Sequence, residues 1–257
     1  MSGVNKPKAL VLTGDGINCE LETAQAFALA GFEAEIKHLN DVISERLSLD
    51  ELSRRYATLA LPGGFSFGDD LTSGKVLALK IKHQLNWNLT LFAERGGLVI
   101  GICNGFQALI RLDVFGKDVS ITHNAQGKFI NSWVKVSPNG NQCVWLKGLG
   151  AMDLPIRHGE GRLVISPARK AEILGKMERQ GLTCLHYEGG APNGSDENLA
   201  GLCDPTGRIF GLMPHPEAYV RWTAHPEWTL QPGRASAPGQ GLMIFENAYK
   251  EAQNGRA

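Results

Sequence analysis

Residues 98–107, LVIGICNGFQ, run from an apolar stretch into a cysteine with glycine two positions away on either side, Gly101 and Gly105. Helix-compatible residues follow as far as Leu112. The pattern predicts a strand-to-helix elbow that lifts Cys103 out of the backbone. Such a turn is tight, so small residues are favoured two places from the nucleophile. A thiol there also faces a helix N-terminus, whose dipole favours the thiolate. Taken alone, the stretch fits a core cysteine after a strand as well, because cysteine is among the most buried residue types.

A second stretch, GLMPHPE at 211–217, lies far downstream. A strand-like run from Arg208 to Met213 breaks at Pro214 and presents His215 and Glu217. In an extended chain, side chains two residues apart share a face. The imidazole can then face the thiol while the carboxylate orients it from behind. That is the division of labour between nucleophile, base and orienter in a triad. A free cysteine has a pKa of about 8.5, and a neighbouring imidazole lowers it by several units. By itself His215 reads as a turn histidine between prolines. Together the two stretches favour Cys103 as nucleophile, His215 as base and Glu217 as orienter.

The elements needed to bring these groups together are legible upstream. Lys8 to Thr13 reads as a strand, and Gly14-Asp15-Gly16 turns into a helix capped by Asn18 that stops at Gly31. Glu20 and Glu22 fall in its first turn, where the dipole favours acidic residues. Glu33 to His38 alternates as a strand, and Ser48 with Glu51 makes a capping box. A strand from Thr58 to Leu61 leads into Pro62-Gly63-Gly64-Phe65, and helical residues from Gly74 to Glu94 separate it from the elbow strand. This alternation predicts an α/β fold, an open, mostly parallel, doubly wound sheet with helices on both faces. In such sheets ligands bind beyond the carboxyl ends of the strands. The 62–65 loop and Cys103 both leave such ends. After Gly127 shorter strand-like runs (128–136, 143–146, 162–165, 183–187, 199–203, 208–213) predict an added antiparallel section. Helices are expected at 168–180 and 241–252.

Size and composition narrow the function classes. The chain has 257 residues, 43% of them hydrophobic, enough for one large core and one domain, with its body at about 8–250. Twenty-six basic and 26 acidic side chains cancel without clustering, which argues against a nucleic-acid partner. No apolar run approaches a membrane span, and the first residues, MSGVNKPK, lack a signal-peptide core. The five cysteines are scattered without CxxC spacing, as suits free thiols in a reducing cytoplasm. Four of them, all but Cys103, read as packing residues. No metal site is expected: Asp69-Asp70 has no ligand cluster around it and reads as helix capping. A second His-Pro-Glu at 225–227 lacks a preceding strand and reads as part of a surface insertion, 218–240, with 231–240 a mobile loop.

GICNGFQ, LPGGFSFGDD (61–70), PIRHGEGRL (155–163), APNGS (191–195) and GLMPHPE together resemble the glutaminase subunits of phosphoribosylformylglycinamidine synthase. These are flavodoxin-like class I glutamine amidotransferases of purine biosynthesis. The resemblance runs from about Lys8 to Tyr249. It implies glutamine hydrolysis through a Cys103 thioester, with ammonia delivered to a separate synthetase subunit. It implies an oxyanion hole of backbone N–H groups from Gly63, Gly64 or Phe65 together with Asn104. Such donors are typically worth about 3–4 kcal/mol each. It places Gln107, His158, Gly159 and Glu160 at the glutamine pocket. The phosphate-loop signature is absent, so ATP and Mg are expected on the synthetase and no cofactor on this chain. Whether a third small subunit joins is left open. The competing expectations are an amidotransferase of the same fold serving a different synthase, and a catalytically silent binding module.

Overall fold

The computed structural model describes residues 6–255; the first five residues of the N-terminal stretch read above lie outside them. The first half alternates β1 (Lys8–Thr13), α1 (Glu20–Ala30), β2 (Glu33–His38), α2 (Leu39–Ser44), α3 (Leu49–Arg55), β3 (Thr58–Leu61), α4 (Lys75–Lys80), α5 (Leu89–Glu94), β4 (Leu98–Ile102) and α6 (Asn104–Arg111). The second half contains β5 (Val119–His123), β6 (Ile130–Pro138), β7 (Met152–His158), β8 (Glu160–Ile165), α7 (Lys170–Arg179), β9 (Leu185–Tyr187), β10 (Leu199–Cys203), β11 (Ile209–Leu212) and α8 (Leu242–Asn254).

Nine strands form one sheet in the order β2-β1-β3-β4-β11-β10-β9-β6-β7, and β5 and β8 pair separately. From β2 to β11 neighbours run parallel; from β11 to β7 they run antiparallel. The added antiparallel section is therefore continuous with the parallel half. β3 and β4 are buried along their whole length, as strands covered on both faces must be. Chain order reverses at β1, which has β2 on one side and β3 on the other. That reversal opens a crevice at the carboxyl ends of β1 and β3.

Local signals held where they were self-contained. Ser48 accepts from the Glu51 N–H while Glu51 accepts from the Ser48 N–H, closing the expected capping box on α3. Gly31 ends α1 in the left-handed conformation, φ 116°. Tertiary contacts overrode other readings. Asn18 does not cap α1; Cys19 occupies that position, and the N–H groups of both residues donate to Gly63 O at 3.3 Å. The helical stretch at 74–94 is interrupted by a π turn (Ile81–Leu85) and by Asn86 at φ 51°, after which Asn88 caps α5. The strand expected at 143–146 is instead a 3-10 turn (Val144–Leu146), in which Trp145 is buried with its indole N–H on Arg208 O at 2.9 Å. β5 and β7 were not anticipated. β7 carries Pro155, which argues against a central strand, and it lies at the sheet edge, where proline is tolerated.

The 218–240 segment is a surface feature but not a loose one. His225 stacks on Trp222 at 5.3 Å between ring centroids and meets Trp133 at 4.8 Å. The Arg234 guanidinium lies 4.1 Å above the Trp222 ring. Gln240 accepts from the Asp153 N–H at 2.8 Å, so the expected mobile loop is anchored at its far end.

Candidate active site

Cys103 sits between β4 and α6 with φ 49° and ψ −102°, a conformation that L-residues rarely adopt. Close packing around the elbow holds it there. A Cβ on Gly105 would lie 1.8 Å from Leu61 O, and one on Gly101 would lie 2.8 Å from Gly105 O. α6 is thus pressed against the backbone of β3 with no room for a methyl group. Replacing Gly105 with Ala is expected to destabilise the protein by more than about 3 kcal/mol. Urea denaturation measures this, and an unchanged midpoint would refute the packing argument.

His215 and Glu217 are brought together by a tight turn. β11 ends at Leu212; His215 follows with φ −106° and ψ 88°, and Glu217 falls in a 3-10 turn (Pro216–Tyr219), so strand alternation is not what aligns them. The Nδ1 atom of His215 lies 2.6 Å from Glu217 Oε1, and both side chains are buried. Burial opposes charging the imidazole. The Glu217 carboxylate, helped by the sulfurs of Cys103 and Cys19, outweighs burial and holds the His215 pKa well above its ordinary value. A Cβ on Gly63 would lie 2.7 Å from His215 Cε1, so glycine there admits the ring. Cys103 Sγ donates to Arg157 O at 3.6 Å, and His215 Nε2 has no hydrogen-bond partner among the described residues. Cys103 is thus close enough to His215 to raise its pKa, and the second ring nitrogen of His215 is left open.

The backbone N–H groups of the glycine loop and the elbow differ in their partners. The N–H groups of Gly63, Gly64 and Asn104 find no acceptor among the described residues, whereas the Phe65 N–H donates to Gly16 O at 2.8 Å. Phe65 therefore drops out as an oxyanion donor; its ring is half exposed against Phe129. The Asn104 side chain has a role that the sequence did not reveal. It donates to Asp69 Oδ1 and to Gln107 Oε1, both at 2.9 Å, and accepts from the Ser66 N–H at 3.1 Å. Asn104 thereby fastens the glycine loop to the elbow. Asp69, read above as a helix cap, is half-buried in this network; burial raises its pKa, against hydrogen bonds from Ser73 and Asn104.

Gln107 is buried, and its amide also donates to Glu160 O, so it braces α6 against the corner between β7 and β8. His158 is buried at that corner beside His215. Burial first, then the charge on His215, lowers its pKa to about 4. The ring is neutral, and its tautomer follows from Asn124. The Asn124 amide N–H groups donate to Lys128 O and His158 O, which turns Oδ1 toward His158 Nδ1 at 3.0 Å. Nδ1 therefore carries the hydrogen, and Nε2 is a buried acceptor without a partner. Gly159 accepts from the Asn124 N–H at 2.9 Å. The Glu160 carboxylate lies 3.8 Å from the His123 ring.

Cys19 is the member that sequence reasoning missed. Its sulfur lies within 4.8 Å of donor atoms of both His215 and Glu217. Burial raises its pKa, and the neighbouring His215 imidazole opposes that rise. It occupies the loop after β1, at the crevice where chain order reverses. That topological rule was the one signal that pointed to it.

The fold, with a strained elbow cysteine and a buried imidazole–carboxylate pair, is that of a glutamine amidotransferase: residues 6–250 match the family model for the CobB/CobQ-like glutamine amidotransferase domain. The chain is 38% identical to phosphoribosylformylglycinamidine synthase subunit PurQ of Dehalococcoides mccartyi, covering 97% of this chain and 99% of the relative. It is 39% identical to the same subunit of Methanococcus maripaludis, covering 95% and 97%. A solved structure of PurLQS from Thermotoga maritima superimposes with a TM-score of 0.73 at 32% identity, over 95% of this chain and 98% of that one. The chain belongs to the PurQ family of phosphoribosylformylglycinamidine synthase subunits.

Proposed function

We propose that this chain is the glutaminase subunit of a phosphoribosylformylglycinamidine synthase, acting in the cytoplasm as one domain over about residues 8–250. The observation that carries the reading is the buried His215–Glu217 pair beside the strained elbow of Cys103. The Cys103 sulfur attacks the side-chain carbonyl carbon of glutamine. Its proton passes to His215 Nε2 and from there to the departing ammonia, leaving a thioester. Water then attacks the thioester carbonyl with His215 as base and releases glutamate. Glu217 stabilises the imidazolium, and the N–H groups of Gly63 or Gly64 with Asn104 receive the oxyanion. Gln107 acts as a brace, and His158 offers a neutral acceptor to the pocket. Ammonia passes to a synthetase subunit, which holds the ATP and Mg; this chain needs no cofactor of its own for the hydrolysis.

A diazo-ketone analogue of glutamine is expected to alkylate Cys103 in the complex with the synthetase subunit. Peptide mass mapping locates the label. Labelling at Cys19 in place of Cys103, or none at all, would refute the assignment of the nucleophile.

A further inference from the structure

Three of the cysteines read above as separate packing residues meet in the core. The sulfurs of Cys143, Cys184 and Cys203 lie within 4.8 Å of one another, and all three residues are free and buried. They come from three chain segments: the turn after β6, the approach to β9, and the end of β10. We propose that Cys143, Cys184 and Cys203 form a three-sulfur site for a soft monovalent cation, Cu(I). Nothing in the glutaminase chemistry uses them. Cys203 sits at the end of β10 opposite the catalytic crevice, since it pairs with Phe210 while Gly201 pairs with Leu212.

The donor set selects the ion. Three sulfurs around one cation at about 2.3 Å each stand roughly 4.0 Å apart in trigonal geometry, within the span seen here. No other His, Cys, Asp or Glu among the described residues joins the cluster. Asp204 is adjacent in sequence, but its carboxylate accepts from the Ile209 N–H and from the Thr206 N–H and hydroxyl. Structural zinc closes its shell with four ligands, whereas thiolates alone suit Cu(I). Binding would release thiol protons to solvent, including the one that Cys203 donates to Gly181 O at 3.5 Å. Cys203 also lines a cavity of about 270 Å³ walled by Phe115, Ile173 and Met177, which gives the cation an approach.

The test presents Cu(I), as its bicinchoninate complex, to the full-length protein purified under reducing conditions. One equivalent is expected to transfer, to raise the Tm, and to show three sulfur neighbours by X-ray absorption at the copper edge. Cys103→Ser and Cys19→Ser should retain the metal; Cys184→Ser and Cys143→Ser should lose it while still unfolding cooperatively. The copper-edge count on the wild type stands even if those two variants fail to fold. No transfer, a shell with nitrogen or only two sulfurs, loss of copper in Cys103→Ser, or a disulfide between two of the three thiols would each overturn the proposal. These outcomes leave the glutaminase reading untouched, because it is read by alkylation of Cys103.

Discussion

Replacing Cys103 with Ala should reduce glutamine-dependent amidine synthesis by the assembled enzyme by about 10⁴-fold or more, while ammonia-dependent synthesis stays within about twofold of wild type. The asymmetry follows from the division of chemistry proposed above. Only the glutamine route needs the sulfur, since free ammonia enters after the step that the thioester serves. Steady-state assays with each nitrogen donor measure both limbs on the same preparation. The change removes one buried sulfur at a strained position, so the fold and the subunit contact should persist. If both activities vanished, Cys103 would be a structural residue; if both survived, the nucleophile would lie elsewhere.

Glu217→Gln is expected to lower kcat for glutamine hydrolysis by about 10³–10⁴-fold and to move the alkaline limb of the pH profile to lower pH. The sign follows from the opposed effects on His215. Burial pushes its pKa down, and the Glu217 carboxylate is the main group pushing it up. Without that charge burial dominates, and the imidazolium that must protonate departing ammonia is lost at a lower pH. The same linkage applies to stability. The raised pKa stabilises the wild-type fold fully below the unfolded value of about 6.5, and this contribution fades as pH rises through the folded value. The variant should lose this dependence. A pH–rate profile with denaturation at several pH values measures both effects, and an alkaline limb that stayed in place would mean that Glu217 does not control the base.

Sequence by itself determined the parts of this protein whose signals are local. The elbow, the strands β1, β2, β3, β4 and β10, the capping box on α3 and the glycine stop of α1 all rest on neighbours a few residues apart. Short-range sterics and hydrogen bonding decide such features. The doubly wound architecture followed from the alternation of strand and helix, because that pattern has few ways to bury both faces of a parallel sheet.

Tertiary structure decided what depends on meetings between distant segments. Phe65 lost its place among the oxyanion donors because Gly16, on another loop, takes its N–H. Gln107 became a brace because the β7–β8 corner supplies a carbonyl within reach. Cys19 came to lie beside His215 and Glu217, and Cys143, Cys184 and Cys203 became one cluster, though none of their spacings along the chain indicated it. β7 escaped notice because its proline is tolerable only at a sheet edge, and strand order is not written in local pattern. A residue's local conformation is set mainly by its near neighbours, whereas the partner of a buried polar atom is whatever the packed chain brings to it.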